Sequence, residues 1–158
     1  MCNRSMKYLK KLNIKLVRGE YQNPVKGQVR EPGHIYRTFR AIKDSAQELL
    51  IGVYLNADLE VLSYDTLSVG GESVTLVIPQ EIFGRAFVMR AKSFILIHNH
   101  PSGDPTPSDA DRKVIEALKE QSAIMNMTFL DFIISGEKRY WSMFEEADGG
   151  EYGLGSIH

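Results

Sequence analysis

The residues best suited to chemistry stand close together in the stretch HNHPSGDPTPSDAD, residues 98–111. The apolar run SFILI precedes them, so His98 and His100 end a predicted strand, in which alternate side chains point to the same face. The loop PSGDPTP that follows is stiffened by three prolines, and it delivers Ser108 and Asp111 at a defined place. The pattern therefore predicts that two imidazoles and a carboxylate meet at one point.

This combination of side chains is typical of a catalytic zinc site. Two imidazole nitrogens and one carboxylate oxygen hold the ion, and the fourth tetrahedral position is left to water. Zinc lowers the pKa of that water toward about 7, which makes hydroxide available at neutral pH. Hydrolysis also requires a base and a donor to the developing oxyanion, and Ser108 is the predicted donor. The base must come from elsewhere in the chain.

Each of these residues also has a structural interpretation. Ser108 and Asp111 have the spacing of a helix capping box, and a histidine at a strand end is commonly held by hydrogen bonds alone. Asp104 fits a Gly-Asp-Pro turn, and Asp109 fits the first turn of a helix. The strand spacing, the rigid loop and the carboxylate together favour metal binding by His98, His100 and Asp111.

The elements that must position these residues alternate between strands and helices. The pattern predicts a loop over 20–34, a short helix IYRTFRAIKDSAQ, a hairpin ELLIGVYLNADLEVLSYDTLSVGG turning at 56–58, a short strand around VTLVI, a helix PQEIFGRAFVMRA, the strand SFILIHNH, a helix SDADRKVIEALKEQSA, and a hairpin of MTFLDFIIS and KRYWSMF. This order predicts a mixed α/β fold with a largely antiparallel sheet flanked by helices.

Length and composition are those of a single globular domain. The 158 residues are divided here into a basic N-terminal arm and linker (1–34), a domain (35–146) and a C-terminal tail (147–158). No apolar run approaches the ~20 residues of a membrane span, and no secretory signal is expected at the N-terminus. With Cys2 as its single cysteine the chain has no disulfide framework, so we expect a cytoplasmic protein that does not engage membranes.

The arm is a candidate contact for nucleic acid. Six basic residues precede the first acidic one, Glu20: Arg4, Lys7, Lys10, Lys11, Lys15 and Arg18. A positive segment of this kind attracts an acidic surface such as DNA. A solvated terminus is the alternative explanation.

The spacing His98-x-His100, seven residues, Ser108, two residues, Asp111 resembles the JAMM motif of the JAB/MPN metalloprotease family. The sequence HNHPSGDPTPSDAD is similar to that of the RadC branch of this family. The resemblance covers roughly residues 35–146. It implies a JAB/MPN (cytidine deaminase-like) fold, with zinc held by His98, His100 and Asp111 and the scissile carbonyl polarised by Ser108. It also implies the missing base, which would be Glu48 in QELLIGVYL.

Read without the resemblance, Glu48 is a polar residue at the head of an apolar strand, and a solvated strand boundary explains it. Its competitors Glu60, Glu72 and Glu81 are explained by a hairpin, a Gly-rich turn and a helix start. The chain departs from RadC-like sequences at Phe132, where Leu-Asp-His is common, and it has a short basic arm where longer relatives have a helix-hairpin-helix-like region.

The expected function is that of a zinc peptidase or isopeptidase acting on a protein or peptide substrate. The main alternative is a DNA-repair-associated module that docks at DNA or at a DNA-bound partner. A metal-free scaffold is disfavoured because every ligand position is filled. A nucleobase deaminase is disfavoured because the chain lacks the C-x-x-C that binds zinc in those enzymes.

Overall fold

The computed structural model describes residues 11, 13, 15–19, 27–70, 79–147 and 152. The strands are β1 (Leu49–Leu55), β2 (Val61–Val69), β3 (Ser93–Asn99), β4 (Thr128–Ser135) and β5 (Tyr140–Ser142). The α-helices are α1 (Pro32–Thr38), α2 (Pro79–Val88), α3 (Asp109–Ile124) and α4 (Met143–Ala147), and a 3₁₀ helix at Arg40–Asp44 follows α1.

The strands form a five-stranded sheet in the order β2-β1-β3-β4-β5. Among them β3 and β4 pair in parallel, and the other neighbours pair antiparallel. The parallel pair requires a crossover, and α3 provides it between the end of β3 and the start of β4. These observations confirm the predicted mixed α/β fold with a largely antiparallel sheet.

Both faces of the sheet are covered by helices. One apolar cluster joins the sheet to α2 and α3, through residues such as Phe94, Leu96 and Ile115. A second cluster joins the opposite face to α1 and the 3₁₀ helix, through residues such as Ile95 and Ile97. Since β3 is buried along its whole length, its sequence is a continuous apolar run rather than an alternating one.

Alternation along β3 decides where its polar end points. Phe94 and Leu96 face α2 and α3, so His98 continues on that side of the sheet. Ile95 and Ile97 face α1, and Asn99 continues on that side. The last residues of β3 therefore send polar groups to both faces of the sheet.

Most predicted elements are confirmed, with two corrections at the ends of the domain. The helix predicted at 35–47 begins earlier, at Pro32, and continues as the 3₁₀ helix after Phe39. Proline suits the first helical turn because its φ is already helical and its missing N–H needs no partner there. The preceding loop is not wholly on the surface, since Val29 is fully buried and Gln28 bridges to Glu60.

The second correction concerns the final hairpin. The strand predicted over KRYWSMF ends at Ser142, and α4 begins at Met143. The Ser142 Oγ accepts a hydrogen bond from the backbone N–H of Glu145 at 3.1 Å, which is the contact of a helix N-cap. The strand predicted around VTLVI lies outside the described residues. No helix within the described part of the chain is long and apolar enough to cross a membrane.

A buried carboxylate fastens β4 to the C-terminal elements. Asp131 accepts hydrogen bonds from the hydroxyls of Ser142 (2.7 Å) and Tyr152 (2.5 Å) and from the backbone N–H groups of Phe132 (2.7 Å) and Phe144 (3.0 Å). Burial raises the pKa of Asp131 to about 6, although these hydrogen bonds favour the charged form. Asp131 therefore binds a proton more tightly in the native state than in the unfolded chain.

This asymmetry predicts a pH-dependent stability. An unfolded aspartate has a pKa near 3.9, so between pH ~4 and ~6 the native state binds more protons and loses stability as the pH rises. The difference between the native and unfolded pKa values of Asp131 corresponds to about 3 kcal/mol. Urea unfolding at pH 4 and pH 7 should show this loss in the wild type, and the loss should shrink in Asp131→Asn, whose amide does not ionise. Equal losses of stability in the wild type and in Asp131→Asn would contradict the raised pKa of Asp131.

Candidate metal site

The two histidines of the motif converge as strand alternation predicts. The His98 and His100 rings lie on the same side of β3, with centroids 4.8 Å apart and ring planes at 83°. Asp111, in the first turn of α3, completes the group, and one ligand atom from each of the three residues lies within 4.8 Å of the others. Residues from a strand end and a helix start therefore form one cluster.

The three side chains of the cluster differ in their exposure to solvent. His98 is fully buried and the Asp111 side chain is 2 % exposed, whereas the His100 side chain is 18 % exposed. The Nε2 atom of His98 lies 3.4 Å from Asp111 Oδ1, and the Nε2 atom of His100 lies 3.3 Å from Asp111 Oδ2. Both imidazoles thus present the same nitrogen to the carboxylate.

Hydrogen bonds on the far side of each ring explain this orientation. The Nδ1 atom of His98 lies 2.9 Å from Glu48 Oε1, and the Nδ1 atom of His100 lies 2.7 Å from the backbone carbonyl oxygen of Asp104. Both partners are acceptors, so each Nδ1 carries a proton and donates it. Contacts of this kind orient metal-binding histidines in proteins.

The Nε2 atom of His98 faces the centre of the cluster. It is a buried polar atom without a hydrogen-bond partner among the described residues. Leaving such an atom unsatisfied costs about 1–3 kcal/mol, which a bound cation would offset. Two neutral imidazoles and a carboxylate are a suitable donor set for a divalent metal, so the residues present fit the ion that the sequence predicts.

The predicted capping box is also present. The Ser108 Oγ accepts from the backbone N–H of Asp111 at 3.1 Å, while Asp111 Oδ2 accepts from both the N–H and the Oγ–H of Ser108 at 2.7 Å. The structural and the functional interpretation of this pair are therefore compatible. Asp111 uses Oδ2 for the cap, and its Oδ1 is the oxygen nearest to His98.

Electrostatics favour the ionised carboxylate that metal binding needs. Burial alone would raise the pKa of Asp111, but hydrogen bonds with His100 and Ser108 and the proximity of His98 outweigh it and lower that pKa to about 2. The same contact with Asp111 raises the pKa of His100. A proton and a metal ion therefore compete for this histidine.

Glu48 lies beside the cluster, and two of its predicted competitors do not. The Glu48 side chain is 13 % exposed and contacts His98 from the position just before β1. Glu60 bonds to Asn56 in the β1–β2 hairpin, at the other end of β1, and Glu81 pairs with Arg85 on α2. Glu72 lies outside the described residues. The structure therefore places one of the candidate bases next to His98, a candidate ligand.

The remaining residues of the motif have structural roles. The Asp104 side chain accepts from the N–H and Oγ–H of Thr106, as expected of a turn, and Asp109 occupies the first turn of α3. Phe132 is fully buried, and its ring centroid lies 5.1 Å from that of His98. Phe132 thus supplies an apolar wall to the site.

Sequence analysis missed a contact that holds the ligand loop in place. The β4–β5 turn packs against the loop between His100 and Ser108, and the N–H of Glu137 donates to the carbonyl of Gly103 at 3.0 Å. Gly103 has a φ of +79°, which favours glycine. A Cβ on Gly136 would lie 2.7 Å from both Gly103 O and Pro105 Cδ, so this approach requires glycine.

Of the six basic residues in the arm, Lys11, Lys15 and Arg18 are described, and all three are exposed. The other three lie outside the described residues. Nucleic-acid binding by the arm therefore stays a prediction.

A mixed sheet with a His-x-His pair at a strand end and an aspartate in the following helix defines the class as a JAB domain. The sequence profile of the RadC-like JAB domain matches residues 29–149, and the chain belongs to this family. The predicted resemblance is thereby confirmed.

Curated relatives carry the name UPF0758 protein. The one from Bacillus cereus strain G9842 is 37% identical over 136 residues, covering 85% of this chain and 60% of its own length. The one from Methanosarcina mazei is 34% identical over 122 residues, covering 77% of this chain and 53% of its own length. The chain thus spans between about half and three-fifths of these two relatives.

The packing of the ligand loop predicts that Gly136→Ala weakens the site. The added Cβ must displace the Gly103–Pro105 segment, which should cost about 1–3 kcal/mol of stability and lower the affinity for zinc. Gly84→Ala on α2 is the matched control, because its Cβ meets nothing within 4 Å and alanine favours a helix by up to about 1 kcal/mol. Thermal unfolding and zinc titration of both variants test the prediction. A Gly136→Ala variant with unchanged stability and zinc affinity would contradict it.

Proposed function

We propose that this chain is a zinc-dependent hydrolase that cleaves peptide or isopeptide bonds in a protein or peptide substrate. The observation that carries the proposal is the convergence of His98, His100 and Asp111, with both Nδ1 atoms engaged and the buried Nε2 of His98 left without a hydrogen-bond partner among the described residues. Membership of the RadC-like JAB domain family supports the same conclusion.

The three side chains would hold the metal, and the other groups would act around it. A bound zinc ion supplies Lewis-acid chemistry, which acidifies a water molecule and polarises a carbonyl. Iron(II) also binds two histidines and one carboxylate, so the identity of the ion belongs to the proposal. His98 is fully buried and His100 is partly exposed, so the cluster is open to substrate on the His100 side.

Glu48 is the proposed general base. Its Oε1 contacts His98 Nδ1 at 2.9 Å, which leaves Oε2 to accept the proton of the attacking water. The water oxygen then bonds to the carbonyl carbon, the carbon–nitrogen bond breaks, and Glu48 returns the proton to the leaving amine. In the structure this carboxylate lies on the Nδ1 side of His98, away from the Nε2 atom that faces Asp111, so the proposal requires Glu48 Oε2 to turn toward the water.

Ser108 is the proposed donor to the oxyanion. In the structure its hydroxyl donates to Asp111 Oδ2 instead, so it must change partner when substrate binds. Ser108 is the most exposed member of the group, which gives its hydroxyl room to rotate. The loss of its bond to Asp111 would be offset by a charge-assisted bond to the oxyanion.

Metal content is the first test of the proposal. Protein purified without chelator should contain about one zinc per chain by plasma mass spectrometry, and His98→Ala and Asp111→Ala should lose it because each removes a ligand. The same measurement quantifies iron.

Asp111→Ala also removes half of the capping box, so Ser108→Ala serves as its control. That variant should lose about 1 kcal/mol of stability through the cap and still retain zinc. Metal-free wild type, or zinc that survives in His98→Ala, would contradict the metal site.

Glu48→Gln separates the chemistry from the metal. The amide oxygen can still accept from His98 Nδ1, so zinc content should be unchanged, while the lost base should reduce kcat by about 10²–10⁴-fold. Amine release from a panel of peptides and isopeptide-linked conjugates provides the assay. A fully active Glu48→Gln protein would rule out this residue as the base.

A further inference from the structure

Asn99 lies between the two histidine ligands and faces the opposite side of the sheet. We infer that Asn99 is a positioning residue that holds Glu48 against His98, and this inference rests on the proposed metal site. Asn99 is fully buried, yet neither a ligand role nor the apolar core accounts for its amide. Its contacts instead lead to the segment that carries Glu48.

The Asn99 side chain spans the backbone on both sides of Glu48. Its Oδ1 accepts from the N–H of Leu49 at 2.8 Å, and its Nδ2 donates to the carbonyl oxygens of Gln47 (3.2 Å) and Ser45 (3.4 Å). The orientation of the amide follows from these partners, because one is a donor and two are acceptors. A single side chain thus bonds to residues immediately before and after Glu48.

The hydrogen bonds of Asn99 lie at the point where the pairing between β1 and β3 ends. The register between β1 and β3 ends at Leu50 opposite His98, so Leu49 is the next residue beyond the paired region. There the Asn99 amide, rather than the backbone of β3, receives the Leu49 N–H. On the other side of β1, the carbonyl of Glu48 accepts from the N–H of Gly70 at 2.8 Å.

The segment needs such support because it has no regular structure of its own. Residues 45–48 lie between the 3₁₀ helix and β1, outside any helix or strand. Unpaired backbone retains conformational freedom, and fixing one residue costs roughly 1–2 kcal/mol. The bonds to Asn99 and Gly70 fix the backbone of Glu48, and its side chain then reaches His98 Nδ1.

The inference therefore links two faces of the sheet. His98 and His100 act on one face, and the residue between them acts on the other by holding the partner of His98. An ordinary structural asparagine would only satisfy buried backbone groups. If Asn99 is a positioning residue, its effect on metal affinity requires Glu48. If Asn99 has only a structural role, its effect on metal affinity does not require Glu48.

A double-mutant cycle on zinc affinity tests that difference. Zinc dissociation constants are measured by competition with a chromophoric chelator for the wild type, Asn99→Ser, Glu48→Ala and the double variant. Loss of the acceptor on a ligand histidine typically weakens metal binding 10–100-fold, so each single variant should bind zinc at least about 10-fold more weakly. In the Glu48→Ala background, Asn99→Ser should have no further effect.

Ser135→Ala is the matched control. Ser135 is buried, pairs with Asn99 in the register of β3 and β4, and its Oγ has no hydrogen-bond partner among the described residues. Its substitution should leave zinc affinity unchanged. An equal loss in Ser135→Ala would show that any disturbance of this region weakens the site, and the inference would fail.

The outcomes separate the inference from the proposed function. If the wild type does not bind zinc, the proposed function fails. If it binds zinc but the two substitutions act additively, or if Glu48→Ala leaves the affinity unchanged, the inference alone is overturned. Should Asn99→Ser fail to fold, hydrogen exchange on the wild type decides: protection of the Leu49 amide is expected, and exchange at the rate of an open loop overturns the inference.

Discussion

The site depends on the two-residue alternation at the end of β3. His98 and His100 share one face because they are two residues apart, and Asn99 must then occupy the other. The strand lies in the interior of the sheet, paired on both sides and covered on both faces, so these directions are rigidly set. A shift of one residue in register would turn the imidazoles toward α1 and the asparagine toward α3. The same pairing that stabilises the sheet thus determines which atoms meet at the candidate metal site.

Polar groups are buried at this site at little cost because nearly every one has a partner. The Nδ1 atoms of His98 and His100 contact Glu48 and a backbone carbonyl, and Asp111 Oδ2 completes the helix cap. The exception is His98 Nε2, which has no hydrogen-bond partner among the described residues. A fold that satisfies one nitrogen of a buried ring and leaves the other unbonded favours the binding of a cation there. The apolar Phe132 ring lies against His98, so a cation bound at Nε2 would interact with the site in surroundings of low polarity.

Local patterns in the sequence predict the strands and helices well, but they do not predict contacts between residues that are far apart in the chain. The apolar run of β3, the hairpin of β1 and β2 and the start of α3 are local signals, and the structure confirms them. The cluster of candidate ligands is predictable for the same reason, because strand spacing and a short rigid loop bring it together. Asn99 has no such signal, since its partners lie 50 or more residues away in the chain. The need for Gly136 likewise depends on a loop that packs against it from another part of the chain. The start of α1 differs from its prediction because proline and glycine at residues 32–33 favour a loop in the sequence pattern.

Asp111 serves two purposes, and this affects how relatives can be compared. Its carboxylate completes the helix cap through Oδ2 whether or not a metal is bound. A relative without a metal would therefore still gain stability from an aspartate here, because its removal would take away half of the capping box of α3. Among the described residues His98 Nε2 has no hydrogen-bond partner, so this buried nitrogen would destabilise the fold in a relative that binds no cation. The presence of the aspartate is thus weak grounds for assigning metal binding to a relative, and the histidine pair is the better diagnostic.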